Sequence, residues 1–352
     1  MNDEQRRLLH KLTQQMIIAE RTLSNTHFRG IKKSVVDKYS EKAHFVYELL
    51  QNADDARAKC ARFILLPDRL IFAHNGTKLF TVTDVDTEEE DSKNHRLGHV
   101  NSITSIGLST KTGDHSTIGK FGMGFKAVFQ YTTTPRIYSP GFSFKIEKMV
   151  IPYELPEDHP DRKENETLFD LEFDNVNNPA PQAYKNIFEK LHALSFPTLF
   201  LRYLREVTIT VGDETLVYKK DVKEMHRYIA PEDEKFTVTI ARRVDYLEQA
   251  VDKKKTTGLW LFSRRVLTKT GRHMIYVGYG VNDDGHLCKI LKPVFCFFPT
   301  TVDSHLNFII HAPFLLTDSR EGIIAGEPHN EEMIECLADL ATDALELLRD
   351  IG

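Results

Sequence analysis

Glu48, Asn52 and Asp55 occur at i, i+4 and i+7, so in a helix they stack on one face within an arc of about 60°. A carboxylate, an amide and a second carboxylate in line can activate a water, ligate a hard cation and receive a ligand's hydrogen-bond donor. Val46, Leu49, Leu50 and Ala53 take the opposite side and would anchor the helix to a core. The competing reading is an amphipathic helix with a solvated face, and for this stretch alone it is the stronger one.

A second stretch shifts that balance. Ile118-Gly119-Lys120-Phe121-Gly122-Met123-Gly124-Phe125 places three glycines within six residues, ahead of an apolar segment with Val128 and Phe129. Glycine lets backbone amides approach an anion closely, and a helix N-terminus behind them favours phosphate. Two familiar loops are excluded. Walker A requires four residues between its glycines and Ser or Thr after the Lys, whereas five residues separate Gly113 from Gly119 and Phe121 follows Lys120. The order G-x-x-G-x-G also differs from the G-x-G-x-x-G of kinases and dinucleotide-binding folds.

The elements that must hold these residues follow from periodicity. A helix is expected to about Thr26, a longer one over Tyr39–Lys59, and strands over Ala61–Leu66 and Arg69–Ala73, joined by a turn at Pro67-Asp68. Asp84–Gly113 is polar and reads as a long mobile connection of the kind that forms lids. Strands are expected over Arg136–Ile151 and Thr167–Phe173, a helix over Ala183–Leu194 and a strand over Leu199–Val211. Beyond residue 214 the pattern becomes strands with charged hairpins, closed by an amphipathic helix over Asn330–Arg349. The division expected is 1–213 for an α/β (α+β two-layer) domain with an N-terminal helical segment, and 214–352 for a smaller mixed α/β domain.

Composition narrows the classes. The 352 residues are 41% hydrophobic and 28% charged, with a net charge of −5, ordinary for a globular protein and giving no global pull toward nucleic acid. No apolar run reaches bilayer length, and the start is charged and polar. Cys60, Cys288, Cys296 and Cys336 form no CxxC pair, and reduced thiols in a cytoplasmic protein are the simplest account.

Taken together, the two stretches resemble the Bergerat-type ATP-binding domain shared by gyrase, heat shock protein 90, histidine kinases and MutL. Its helix motif E-x-x-x-N-x-x-D-A matches Glu48, Asn52, Asp55 and Ala56; its lid motif G-x-F-G-x-G matches Gly119, Phe121, Gly122 and Gly124. The adenine motif D-x-G-x-G corresponds to His74–Phe80 and departs from the pattern: Asn75 is the favoured counterpart of the adenine-reading Asp, with His74 the alternative. The run from Tyr47 to Ala56, with Ser109-Thr110-Lys111, looks most like the sacsin-type branch, which is similar to the heat-shock chaperone domain.

The resemblance implies roles. Glu48 would be the general base and Asn52 the Mg²⁺ ligand, while Asp55, Ala56, Asn75 and Thr167 would line the base. Gly119, Phe121, Gly122, Met123, Gly124 and Phe125 would form the phosphate loop, with Ser109, Lys111 and Lys120 adding polar contacts. Arg320, in a segment like the S-R-E of the chaperone's transducer-like middle domain, would reach the γ-phosphate. The activity implied is slow, Mg²⁺-dependent ATP hydrolysis that closes a lid, drives homodimerisation and acts on a client, effector or following domain. A non-hydrolysing nucleotide sensor or scaffold is the alternative, followed by histidine-kinase-type phosphotransfer, against which Glu48 argues. DNA manipulation has no support in the charge balance.

Overall fold

The computed structural model describes residues 1–25, 43–105, 124–232, 235–317 and 322–351. The chain divides into two compact units. One runs from Met1 to Leu194, apart from residues 113–116, and resumes over Arg202–Thr215; the other takes Ser195–Leu201 and everything from Leu216.

In the first unit, helix α1 (Asp3–Leu23) begins at a capping box in which Asn2 and Gln5 exchange side-chain and backbone bonds. Helix α2 (Phe45–Asp55) ends in a Schellman turn: Arg57 N–H donates to the Asp54 carbonyl and Ala58 N–H to that of Ala53. Arg57 takes the left-handed φ of 63° that such an ending requires. The chain then reverses into β1 (Cys60–Leu66) and β2 (Arg69–His74), joined by the expected two-residue turn. Short helices α3 (Glu88–Lys93) and α4 (His99–Thr104) follow. After them come a 3₁₀ helix (Gly124–Gln130), β3 (Arg136–Ser139), β4 (Phe142–Glu147), β5 (Ile151–Glu154), β6 (Thr167–Glu172), α5 (Ala180–His192) and β7 (Glu206–Val211).

The strands order as β7-β1-β2-β6-β3-β4-β5, antiparallel except for β1 on β7. Strand alternation gives this sheet two faces. Phe63, Phe72 and Phe169 pack in a line on the face toward α2 and the 3₁₀ helix, where Phe125 meets Phe169 at 5.9 Å. Ile71, Ala73, Tyr138 and Leu168 form a cluster on the other face with Leu155.

In the second unit, β8 (Glu214–Glu232), β9 (Lys235–Gln249), β10 (Lys254–Thr268) and β11 (Gly271–Val281) form a meander. It is extended by β15 (Ile309–His311), β13 (Pro293–Cys296) and β14 (Phe298–Asp303), with the two-residue β12 (Leu287–Cys288) on β11. Trp260, Phe262, Ile275, Val277 and Tyr279 alternate toward Met333, Leu337, Leu340 and Ala344, spaced as one stripe of helix α6 (Pro328–Ile351).

The mixed α/β class expected from the sequence is the one observed. Three local expectations change. The Asp84–Gly113 connection begins with two helices; α3 buries none of its residues, whereas Val100, Asn101, Ile103 and Thr104 pack α4 into the core. The Leu199–Val211 strand shortens to Glu206–Val211, because side chains satisfy the backbone ahead of it. Lys220 Nζ donates to the Leu199 and Leu201 carbonyls, and the Asp54 carboxylate accepts the N–H groups of Arg202, Tyr203 and Leu204. Residues 195–201 fall with the second unit, where Phe200 packs on Tyr276, Phe295 and His311.

Candidate functional site

Helix α2 decides the first question posed by the sequence. A solvated polar face would expose Glu48, yet Glu48 is only 3% exposed. Asn52 and Asp55, half-buried, continue the same stripe toward the C-terminal end of α2. The neighbouring Asp54 is on different duty: its two oxygens accept three backbone N–H bonds at 2.6–3.0 Å, which fixes the 202–204 backbone to α2. Of two adjacent aspartates, Asp54 is therefore structural.

Gly124 lies against the Glu48 carboxylate. A Cβ built on Gly124 would fall 1.7 Å from Glu48 Oε2 and 2.3 Å from Cδ, so only glycine lets the backbone approach the acid this closely. Phe125, 2% exposed and tilted against Phe169, anchors the segment to the sheet. The helix expected after the glycines is 3₁₀ rather than α over Gly124–Gln130. Its Lys126 is buried, donates to the Met149 carbonyl, and has its pKa pushed down to about 7 by burial.

The loop after β2 docks at the far end of α2. The Ala56 carbonyl accepts the N–H groups of Thr77 and Lys78 at 2.9 and 3.2 Å. A Cβ on Gly76 would come within 2.7 Å of the Ala56 side chain, so a small residue at 56 and glycine at 76 are one requirement. Glu48 and Ala56 are separated by about 12 Å of helix rise, which sets the Gly124 contact and the β2 loop at opposite ends of one wall.

The structure reassigns Asn75. Its Oδ1 accepts from Lys59 N–H and Cys60 N–H, both at 2.9 Å, so both lone pairs are used to tie its loop to the start of β1. The oxygen expected to accept from a base serves here as a loop cap. His74 stands where the sheet faces α2, paired across strands with Thr167 and in ring contact with Phe72 and Phe169. Thr167, 1% exposed, shares a 2.9 Å hydrogen bond with Ser139.

Ser109, Lys111, Gly119, Lys120, Phe121, Gly122, Met123 and Arg320 lie outside the described residues. The base of the Arg320 segment is described. Asn330 accepts from Leu315 N–H at 2.7 Å and donates to the carbonyls of Leu315 and Ile324 at 2.9 Å, joining the two ends of the segment. A bridge between Leu316 and Ile323 adds to this.

The sequence reading missed several neighbours of the site. His44 brings Nε2 to 3.9 Å from Glu48 Oε1, and Gln51 keeps a buried Oε1 without a hydrogen-bond partner among the described residues. Their i−4 and i+3 spacing from Glu48 was the available signal. Nothing in the sequence pattern marks Lys126 or Asn330. Among the described residues no three His, Cys, Asp or Glu side chains gather as a metal cage, and no helix is long and apolar enough to cross a membrane.

Comparison with known proteins adds an independent line. The chain is 28% identical to the protein NO VEIN of Arabidopsis thaliana over 87% of its length. It is 31% identical to human sacsin over 33% of its length, and 23% identical to the bovine mitochondrial heat shock protein 75 kDa over 74%. It spans 11%, 3% and 43% of those proteins respectively. A solved topoisomerase IV ATP-binding domain of Francisella tularensis, bound to a small-molecule inhibitor, aligns over 87% of this chain and 88% of its own at 11% identity and a TM-score of 0.40. The Sacsin domain family model matches residues 27–237, more than half of the sequence: the chain belongs to the Sacsin domain family.

Proposed function

We propose that this protein is an ATP-binding conformational switch that hydrolyses ATP slowly with Mg²⁺. The observation that carries the reading is the buried Glu48 carboxylate with the Gly124 backbone pressed against it. A phosphate loop needs close backbone approach, and a general base needs a fixed carboxylate beside the reacting phosphate. This contact supplies both at one end of α2.

Glu48 takes the proton of the attacking water. Asn52 suits Mg²⁺, which favours one or two protein oxygens with phosphate and water completing its shell; when bound, that ion neutralises charge on the phosphates. Asp55, Ala56, His74 and Thr167 form the base end. Ser109, Lys111, Gly119, Lys120, Phe121, Gly122, Met123 and Arg320 keep the roles their motifs imply. Lid closure sets the rate, ATP-bound chains pair, and residues 214–352 act as the middle domain that passes the change to an effector or client.

The test is phosphate release by wild type and Glu48→Ala, with ATP binding measured in parallel. The expected result is lost turnover with retained binding; equal turnover removes Glu48 from the chemistry. Light scattering with a non-hydrolysable ATP analogue should show a rise in mass, and constant mass would refute the pairing.

A further inference from the structure

We infer that the base end of this site reads a purine through a donor, His74 Nε2–H, and so accepts a C6-keto purine nucleotide at least as well as ATP. The inference rests on the nucleotide-binding reading above.

His74 closes β2 on the sheet face toward α2 and is 4% exposed. Its Nδ1 accepts the Gly76 N–H at 3.1 Å. A backbone N–H can only donate, so Nδ1 carries no proton and the neutral ring holds its proton on Nε2. Burial pushes the ring pKa to about 4, which keeps it neutral through the physiological range. The surrounding Phe72 and Phe169 rings offer no acceptor, and among the described residues Nε2–H has no hydrogen-bond partner.

The rest of the loop cannot replace the missing acceptor. Residues 74–78 are His-Asn-Gly-Thr-Lys, without a carboxylate. The Asn75 oxygen is filled by two backbone donors, and the Thr77 and Lys78 amides are spent on Ala56. Adenine presents an amino donor at C6, which meets the Nε2 proton as donor against donor. Hypoxanthine and guanine present a carbonyl oxygen there, which accepts it. The triphosphate contacts lie at the other end of α2 and are common to all of these nucleotides.

The experiment is calorimetric binding of ATP, ITP and GTP, with Mg²⁺, to the full chain. ITP is the cleanest probe because it exchanges the C6 amino group for an oxygen and adds nothing elsewhere except the N1 proton. Wild type should bind ITP at least as tightly as ATP. His74→Asp and His74→Asn, which restore an acceptor, should each move the ATP-to-ITP affinity ratio toward ATP by about tenfold. Wild-type preference for ATP by tenfold or more overturns the inference and leaves the amino group to Asp55. A ratio unchanged in both variants, each binding nucleotide, overturns it as well. Failure of all three nucleotides to bind wild type removes the nucleotide reading itself, a result distinct from an ATP preference.

Discussion

Substituting Gly124 by alanine tests the site at its tightest point. The added Cβ would lie 1.7 Å from Glu48 Oε2, where an ordinary van der Waals contact begins at 3.4 Å, so the carboxylate or the loop must give by about 1.7 Å. Glu48 has little room to move, being 3% exposed and within 3.9 Å of His44. Overpacking of this kind costs about 1–3 kcal/mol of stability. A catalytic group displaced by an ångström or more loses on the order of 10²-fold in rate. Gly124→Ala should therefore lower the urea midpoint and reduce phosphate release about 100-fold. Nucleotide affinity should fall as well, since Gly124 belongs to the proposed phosphate loop, but by less than turnover, because Asn52 and the base end are untouched. The decisive assay is a double-mutant cycle in urea unfolding. In a Glu48→Ala background the offending carboxylate is gone, and the alanine penalty should shrink to within about 0.5 kcal/mol of zero. An undiminished penalty in that background would refute the claim that Gly124 is required by Glu48.

Four further outcomes follow from other contacts. Asp54→Ala orphans the amides of Arg202, Tyr203 and Leu204 and should destabilise the protein by about 3 kcal/mol or more in urea unfolding; a loss below about 1 kcal/mol would contradict its structural role. Asn75→Ala should cost about 1 kcal/mol of stability through Lys59 and Cys60 while leaving the ATP-to-ITP binding ratio unchanged, and a large change in that ratio would return base reading to Asn75. Asn330→Ala unties Leu315 from Ile324 and should cost about 1–3 kcal/mol in urea unfolding, so an unchanged midpoint would contradict that tie. The His74 ring titrates at about 4 when folded against 6.5 unfolded, so the folded state binds fewer protons in that window. Stability should fall as pH drops from 6.5 to 4, by a total of about 3 kcal/mol, with no further loss from this group below 4. His74→Asn should flatten that component, and identical acid profiles would show the burial cost to be absent.

The chemistry-bearing spacing was legible because helical period alone puts Glu48, Asn52 and Asp55 on one stripe. What the sequence left open was whether the stripe meets water or protein, since a buried acid and a surface acid have the same spelling. The glycine motif supplied that context, and the Gly124 contact gives it a physical form. At Asn75 the expected base contact and the observed loop cap compete for one oxygen. Asparagine is at once a base reader and a habitual loop cap, and only three-dimensional proximity to the Lys59 and Cys60 amides tells which job it holds. The 199–204 stretch misled in the same way: Leu199, Phe200 and Leu201 have strand-like composition, but Lys220 and Asp54, distant in sequence, take up its backbone groups.

Helix α1 bears on how the molecule can be cut. Leu9 and Leu12 are buried, Thr13 reaches the Pro152 carbonyl at 2.6 Å, and Arg6, Lys11 and Glu20 pair with Glu154, with Asp84 and Asp86, and with Lys148. These contacts cover β5, the outermost strand at that end of the first unit's sheet. The family match begins only at residue 27, so a fragment trimmed to it would shed the helix and lay bare a strand edge of the kind that recruits other chains. For recombinant work, the first two dozen residues are therefore part of the folding unit, and their loss should be read out as aggregation before it is read out as lost activity.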